Sequence, residues 1–247
     1  MRKPAVFTPG MPARTIASLW GTPVVVIGRS WLPVTQLALW PVMSWRAGKL
    51  NPERSLREKL LIGAAMTCTT LGVEWCHNLA HVAAARLVDR PMDALRIIYG
   101  MPLCVYYDLD PEDVSPRQHV LRALGGPAFN LVAAAGSWIW REASPPGSPG
   151  KDIANTTLGA ALLILGAGLL PYPGLDGGPI LKWSWVELGR SRQAADRFTQ
   201  RVDGVVGAGL TLGAVGAARR GQRWLAALLG LLGLLGLAFA LGLLREE

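Results

Sequence analysis

The sequence has few charged residues for its length. Of its 247 residues, 17% are charged and 51% are hydrophobic, which is too apolar for an ordinary soluble domain of this size. The composition therefore predicts one bundle of membrane helices rather than one or two soluble domains.

Cysteine is also scarce. Cys68, Cys76 and Cys104 are the three cysteines, and no two of them form a CxxC pair. An odd number without such a pair argues against a disulfide framework or a cysteine zinc site. We interpret all three as small buried side chains; Cys76 lies beside His77 and is a weak candidate ligand.

The N-terminal region lacks the pattern of a cleaved signal peptide, because Pro4, Pro9 and Pro12 interrupt it and no continuous apolar stretch follows. The net charge is +8. Lys and Arg lie mainly between apolar segments, so we attribute this charge to membrane topology and to contact with anionic lipid. No nucleic-acid partner is expected, since no binding module for one is recognisable.

Six apolar segments are candidates for membrane helices, because about 20 apolar residues in a helix cross the hydrocarbon core. They are residues 31–45, 61–85, 123–140, 153–170, 204–218 and 224–244. The first contains two prolines, and the fifth is short and rich in glycine, so it spans with a tilt or only dips into the bilayer. The predicted fold class is an all-α polytopic membrane protein with about six transmembrane helices and short β-hairpin elements.

The connecting segments differ in character. Residues 22–28 (TPVVVIG) predict a strand, and residues 96–107 predict a hairpin around Gly100 and Pro102. Residues 108–116 are acidic and typical of a loop. Residues 144–150 predict a turn, and residues 181–202, with five Lys and Arg, an interfacial amphipathic segment.

Two of the three histidines form the sequence HNLAH, from His77 to His81. Residues i and i+4 of a helix share one face, so both imidazoles can bind one metal ion. With Glu74 and Asn78 they form a polar stripe within an arc of about 100°. Polar groups in membrane helices are costly and usually functional. The alternative is a polar seam packed against another helix, with Glu74 protonated or hydrogen-bonded.

A second signal is the segment 169–181 (LLPYPGLDGGPIL), where prolines and glycines interrupt the end of an apolar helix around Asp176. Irregular backbone at membrane depth is tolerated only where it is buried in protein or lines a cavity. Two histidines and a carboxylate, with one position left for water, are the ligands of many catalytic zinc sites. The alternative is an Asp-Gly turn just outside the membrane.

A third signal is the sequence GGPAFN at residues 125–130, inside another apolar segment. Pro127 interrupts a helical hydrogen bond, and Asn130 offers donors and an acceptor in an apolar setting. Taken alone, the motif indicates a kink and a hydrogen bond between helices.

Together, the three motifs resemble those of the site-2 protease family of intramembrane zinc metalloproteases. That family carries HExxH on one membrane helix, a GPxxN-type motif on the next, and an LDG motif whose Asp is the third zinc ligand. The matching residues here are 77–81, 126–130 and 175–177, in the family's order. The resemblance covers roughly residues 21–182, and the strand at residues 22–28 is similar as well.

The resemblance implies a zinc ion bound by His77, His81 and Asp176, near the cytoplasmic face of what we expect to be the bacterial cytoplasmic membrane. It implies substrates that are transmembrane helices or short membrane-anchored segments of proteins. The expected substrate-binding residues are Gly126, Pro127 and Asn130, with Asn130 holding the unwound substrate or its polarised carbonyl.

This interpretation of the motifs and apolar segments divides the chain into four regions. Residues 1–20 are an N-terminal tail, and residues 21–182 are the protease-like membrane core. Residues 183–203 are the interfacial segment, and residues 204–247 form a C-terminal transmembrane hairpin.

Position 78 departs from the family pattern, because Asn78 replaces the motif's Glu. That Glu is the general base that takes a proton from zinc-bound water, and its loss costs about 10²–10⁴ in rate. Three interpretations stay open. Glu74, one turn earlier, replaces the base; Glu74 is a fourth ligand of a closed structural site; or the chain is a weak or inactive protease homologue, which we rank first.

A metal-ion or small-solute transporter is the alternative from another class, since His and Asp within membranes also line ion paths. Against it, no inverted repeat is visible and the polar groups cluster at one end. A non-catalytic membrane scaffold is the simplest alternative, and it leaves the coincidence of three motifs unexplained.

Overall fold

A computed structural model describes residues 13–106 and 113–244 of the chain. These residues form four strands and seven helices. In chain order they are β1 (Ala13–Leu19), β2 (Thr22–Ile27), α1 (Val34–Leu50), α2 (Leu56–Leu87), β3 (Ala94–Ile98), β4 (Met101–Val105), α3 (Pro116–Ala143), α4 (Pro149–Gly168), α5 (Gly177–Glu187), α6 (Arg192–Arg219) and α7 (Arg223–Ala240).

The chain forms two compact units. The first comprises the described residues up to Val114 together with Leu124–Gly166. The second comprises Ser115–Ala123 and the described residues from Ala167 onward. In the first unit, α1 packs along α2, and α2 contacts β4. In the second unit, α6 packs along α7, and α5 contacts α6.

The strands of the first unit form one mixed sheet in the order β1-β2-β3-β4. The pairs β1–β2 and β3–β4 are antiparallel, whereas β2 and β3 are parallel. Val24, Val26 and Leu95 on one face pack against Val82 and Ala85 of α2. The helix that carries the HNLAH motif is therefore fixed to the sheet by an apolar core.

Each of the two hairpins has a two-residue turn with positive φ at both positions. The turns are Trp20–Gly21 (φ 48° and 86°) and Tyr99–Gly100 (φ 50° and 88°). This is the conformation of a type I′ turn, whose twist matches that of the strands it joins.

The predicted strand at residues 22–28 and the hairpin within residues 96–107 are confirmed as β2 and as β3–β4. Pro102, predicted in the turn, lies instead within β4, an edge strand, where a missing N–H is tolerated. Residues 107–112 of the predicted hairpin and loop lie outside the described residues.

The prediction of an all-α fold with only hairpin elements is corrected by the four-stranded mixed sheet. β1, which lies within the predicted tail, has almost every residue exposed. It therefore lacks the alternating apolar pattern by which a strand is recognised from sequence.

All six predicted helical segments are helical, as α1, α2, α3, α4, α6 and α7. The predicted interfacial segment is occupied by the end of α5 and the start of α6.

Two helices begin earlier than their apolar stretches, because polar capping boxes start them. Ser55 and Glu58 form the box of α2, and Ser115 and Gln118 exchange the same two hydrogen bonds before α3. The hydrogen bonds from Ser55 lower the pKa of Glu58.

Among residues 13–106 and 113–244, one helix is both long and apolar enough to cross a membrane by length and composition. That helix is α7, with a mean hydropathy of 1.9. The other five predicted membrane spans stay predictions.

A buried ion pair joins the segment before α2 to the start of α4. Arg54 Nη2 lies 2.7 Å from Asp152 Oδ2, with the two side chains 6% and 12% exposed. Arg54 also donates to the carbonyl oxygens of Ala47 and Gly147, at 3.2 and 3.1 Å. One guanidinium therefore connects the end of α1, the start of α4 and the turn between α3 and α4.

Replacing Arg54 with Met is expected to lower the free energy of unfolding by about 3–5 kcal/mol, because it leaves the Asp152 carboxylate buried without its cation. Thermal unfolding of the detergent-solubilised protein measures this loss. The matched control is Arg141→Met, since Arg141 pairs with Glu142 at 3.6 Å on the surface and such a pair contributes at most about 1 kcal/mol. Equal unfolding temperatures for the two variants would show that the buried pair does not stabilise the fold.

Candidate metal centre

The candidate site in the first unit is built on His77 and His81 of α2. Both side chains are buried, with 8% and 6% exposed, and their Nε2 atoms are 3.2 Å apart. Two nitrogen ligands of one tetrahedral zinc, each at 2.0–2.1 Å, are about 3.3 Å apart. The pair therefore has the separation that a shared metal ion requires, as the i, i+4 spacing predicted.

The surface that α3 presents to the two imidazoles is made of glycine. A Cβ atom at Gly126 would overlap the Nε2 atoms of His77 and His81. A Cβ at Gly125 would overlap the backbone oxygen of Ala80 and the side chain of Ala84. The two glycines thus allow the backbone of α3 to approach α2, and they keep side chains out of the space beside both Nε2 atoms.

Hydrogen bonds from α3 engage the other nitrogen of each ring. The Gly126 N–H donates to His81 Nδ1 at 3.4 Å. The Asn130 amide lies 3.0 Å from His77 Nδ1, and Asn130 has no exposed surface. A ligating histidine characteristically donates its other ring N–H to an acceptor. The Asn130 amide can serve His77 in this way through its oxygen, whereas the Gly126 N–H can only donate. Pro127 lies within α3 between these residues; the substrate-binding role predicted for the motif stays a prediction.

The side chain of Asn78 makes hydrogen bonds with Glu74 and Cys104. Its Nδ2 donates to Glu74 Oε1 at 3.0 Å, and its Oδ1 accepts from the Cys104 thiol at 3.2 Å. The Glu74 carboxylate is therefore hydrogen-bonded to the residue at position 78, where the resemblance leads us to expect a general base. Cys104 reaches Asn78 from β4, a contact between residues far apart in sequence that carries no sequence signal.

The prediction that the cysteines are buried is wrong for Cys68 and Cys76, which are exposed, whereas Cys104 is half-buried. Both exposed cysteines lie on α2. The exposure of Cys76, next to the buried His77, makes it unsuitable as a ligand of the same metal ion.

Asp176 belongs to the second unit, where it directly precedes α5. It makes no capping hydrogen bond to that helix. The carboxylate lies close to the end of α4, since a Cβ at Gly168 would be 3.1 Å from Asp176 Oδ2. The interruption predicted from the prolines and glycines is confirmed, and α5 begins at Gly177, the residue after Asp176.

Close backbone contacts hold the loop that carries Asp176. Gly177 packs against the carbonyl groups of Leu169 and Leu170, and Gly178 packs against the carbonyl of Tyr172. Tyr172 is fully buried, and Gly236 of α7 leaves the space for its ring. The sequence did not predict this contact, because it joins residues 64 positions apart.

The first unit thus combines a histidine pair on α2 with a glycine pair on α3 that faces it, beside a small mixed sheet. The structure is similar to that of the site-2 protease from Methanocaldococcus jannaschii. The TM-score is 0.51 at 12% sequence identity, over 96% of this chain and 97% of that one. No family model and no curated protein matches the sequence. The resemblance predicted from the three motifs is thus confirmed for the fold.

Proposed function

We propose that the chain is a site-2-protease-like membrane protein that binds one zinc ion through His77, His81 and Asp176. The main support is the separation of 3.2 Å between the Nε2 atoms of His77 and His81, which are both buried. These residues lie in a fold similar to that of a site-2 protease. Two histidines and a carboxylate leave a tetrahedral zinc one position for water. When bound, zinc polarises a carbonyl group and lowers the pKa of that water.

The residues around position 78 favour binding over rapid cleavage. Asn78 carries an amide, which cannot take up the proton that the family's Glu accepts. Both ends of that amide are engaged, one by Glu74 and the other by Cys104. We therefore propose that the protein binds membrane-embedded segments of other proteins and hydrolyses them weakly or not at all. Glu74 is the candidate for a substitute base.

The proposed location is the bacterial cytoplasmic membrane, with the metal near the cytoplasmic side. Three observations support membrane insertion: the apolar composition, the length and hydropathy of α7, and the likeness of fold to a membrane-embedded class of protease. The exposed Leu and Trp side chains of α7, among them Trp224, Leu231 and Leu234, suit contact with lipid.

Metal analysis of the purified protein tests the ligand set. We expect about one equivalent of zinc per chain, and a loss of zinc in His77→Ala, His81→Ala and Asp176→Ala. The matched control is His119→Ala. His119 is buried but stacks on Trp183, with ring centroids 3.9 Å apart, and should not affect the metal.

Four outcomes would count against the proposal. Protein without zinc in every preparation would reject the metal site. Equal zinc loss in the His119→Ala control would reject a specific role for His77 and His81. Retention of zinc in Asp176→Ala alone would remove Asp176 from the ligand set. Zinc flux into liposomes without proteolysis would favour the transporter prediction instead.

A further inference from the structure

Two polar side chains of the second unit are buried without a partner. Asp203 of α6 is 2% exposed, and Tyr172, in the loop before α5, has no exposed surface. The Oδ1 atom of Asp203 and the hydroxyl of Tyr172 make no hydrogen bond in the part of the chain that the structure describes. Buried polar groups are normally hydrogen-bonded, so an unpaired group of this kind needs an explanation.

Both groups lie at the same contact between α6 and α7. Gly207 lies one turn after Asp203 on the same face of α6, and it packs against the backbone of α7 at Gly236. A Cβ at Gly236 would in turn overlap the ring and the hydroxyl of Tyr172. Burial raises the pKa of Tyr172, and the negative charge of an ionised Asp203 raises that pKa further. Asp203 and Tyr172 therefore belong to one buried cluster.

No cation compensates the charge of Asp203, which forms no ion pair within residues 13–106 and 113–244. The titratable and charged groups around it, besides Tyr172, are Asp176 of the loop, Lys182 and Glu187 of α5, Arg223 of α7, and Arg197 and Arg201 of α6 itself. Lys182 pairs with the exposed Asp196, at 3.2 Å. Burial raises the pKa of Asp203 to about 7, because a carboxylate without a cation is unfavourable away from water.

The backbone of Tyr172 belongs to the loop that carries Asp176. The Tyr172 carbonyl accepts a hydrogen bond from the Leu175 N–H at 3.1 Å, and it also packs against Gly178. These two contacts lie on either side of Asp176 in the sequence, so the place of Tyr172 determines the course of the backbone around Asp176. The phenol seated against Gly236 thus connects this loop to α7.

We propose that Asp203 and Tyr172 are positioning residues, which hold the loop of Asp176 against α6 and α7 only while Asp203 carries a proton. An ionised carboxylate that is buried without a cation is strongly unfavourable. Water reaches it only when the cluster opens, and the phenol then leaves its place beside Gly236. The inference rests on the proposed function, which makes Asp176 a zinc ligand, and it adds a proton-linked anchor in residues outside the three motifs.

The direction of the pH dependence follows from the raised pKa. Asp203 holds its proton more tightly in the closed cluster than in an open one, where its pKa returns to the ordinary value of 3.8. The closed form is therefore fully favoured below that value and loses stability as the pH rises to about 7. Between these two values, the opening equilibrium constant should rise about tenfold per pH unit.

Hydrogen exchange of the amides of residues 169–178 tests the proposal, measured by mass spectrometry on the full-length protein in detergent. Protection, corrected for the intrinsic exchange rate, should fall about tenfold per pH unit between about pH 5 and 7 in the native chain. Asp203→Asn, which keeps a neutral group of the same shape, should keep its protection over this range. The matched control is Asp196→Asn, an exposed carboxylate of the same helix, which should show the native pH dependence.

A second pair of variants connects the anchor to the metal. Gly236→Ala places a methyl group where the phenol of Tyr172 lies, so it should lower the protection of the loop and weaken zinc binding about 10–100-fold. Gly230→Ala is its control on α7, since a Cβ there would make an ordinary contact of 3.7 Å with Ala214. Zinc affinity is measured by competition with a chromophoric chelator.

The same pH dependence of loop protection in the native chain and in Asp203→Asn would overturn the proposal. Native zinc affinity and native loop protection in Gly236→Ala would overturn it as well. The comparison of the native chain with Asp203→Asn needs no metal. If the native chain binds no zinc, the proposed function fails, and hydrogen exchange still decides whether Asp203 and Tyr172 hold the loop.

Discussion

Gly126→Ala is expected to abolish zinc binding and to leave α3 helical. The added methyl group would overlap the Nε2 atoms of His77 and His81, which are the atoms that face the metal in the proposed site. Both imidazoles are buried, so they cannot move aside without disturbing the contacts around them. Alanine is also a better helix former than glycine, by about 1 kcal/mol. A loss of zinc would therefore not arise from a weaker helix.

The matched control lies on the same helix. A Cβ at Gly136 would meet nothing within 4 Å, so Gly136→Ala should keep about one equivalent of zinc. Zinc content and thermal unfolding are measured for both variants. Full zinc content in Gly126→Ala would show that the space beside the two Nε2 atoms is not where the metal binds.

Asn78→Glu is expected to raise the rate of peptide cleavage by about 10²–10⁴, the usual contribution of a general base. The present side chain accepts from the Cys104 thiol and donates to Glu74. A carboxylate can keep the first contact and cannot make the second. It would instead place two carboxylates together, and the repulsion between two like charges is unfavourable in such a site.

A double variant, Asn78→Glu with Glu74→Gln, avoids this contact between two carboxylates. The Gln amide can donate to the new carboxylate and restores the lost hydrogen bond, so this pair should cleave at least as fast as Asn78→Glu alone. Cleavage of membrane-helix substrates is measured in detergent for zinc-loaded protein. His77→Ala added to the pair should remove the gain, because the proposed metal site needs that imidazole.

Glu74→Gln in the native chain separates the open interpretations of Glu74. If the native protein cleaves and this variant does not, Glu74 is the substitute base. If zinc is lost, Glu74 is a ligand. A zinc-loaded Asn78→Glu protein, alone or with Glu74→Gln, that gains no activity would show that position 78 is not what limits catalysis.

The sequence by itself was sufficient for the features that local spacing controls. The helical period and the apolar stretches located six helices, since a helix satisfies its backbone within its own segment. The i, i+4 spacing placed His77 and His81 on one face for the same reason. The order of three short motifs then predicted the fold that the structure confirms.

Only the tertiary structure decided the features that depend on residues distant in the chain. These include the pairing of β2 with β3, the contact of Cys104 with Asn78, and the contact of Asn130 with His77. Each joins segments whose approach is set by packing, such as the close contact of α3 with α2 at Gly125. The periodicity of one segment does not reveal which other segment packs against it. The histidine pair was therefore predictable from the sequence, whereas the groups that contact its rings were not.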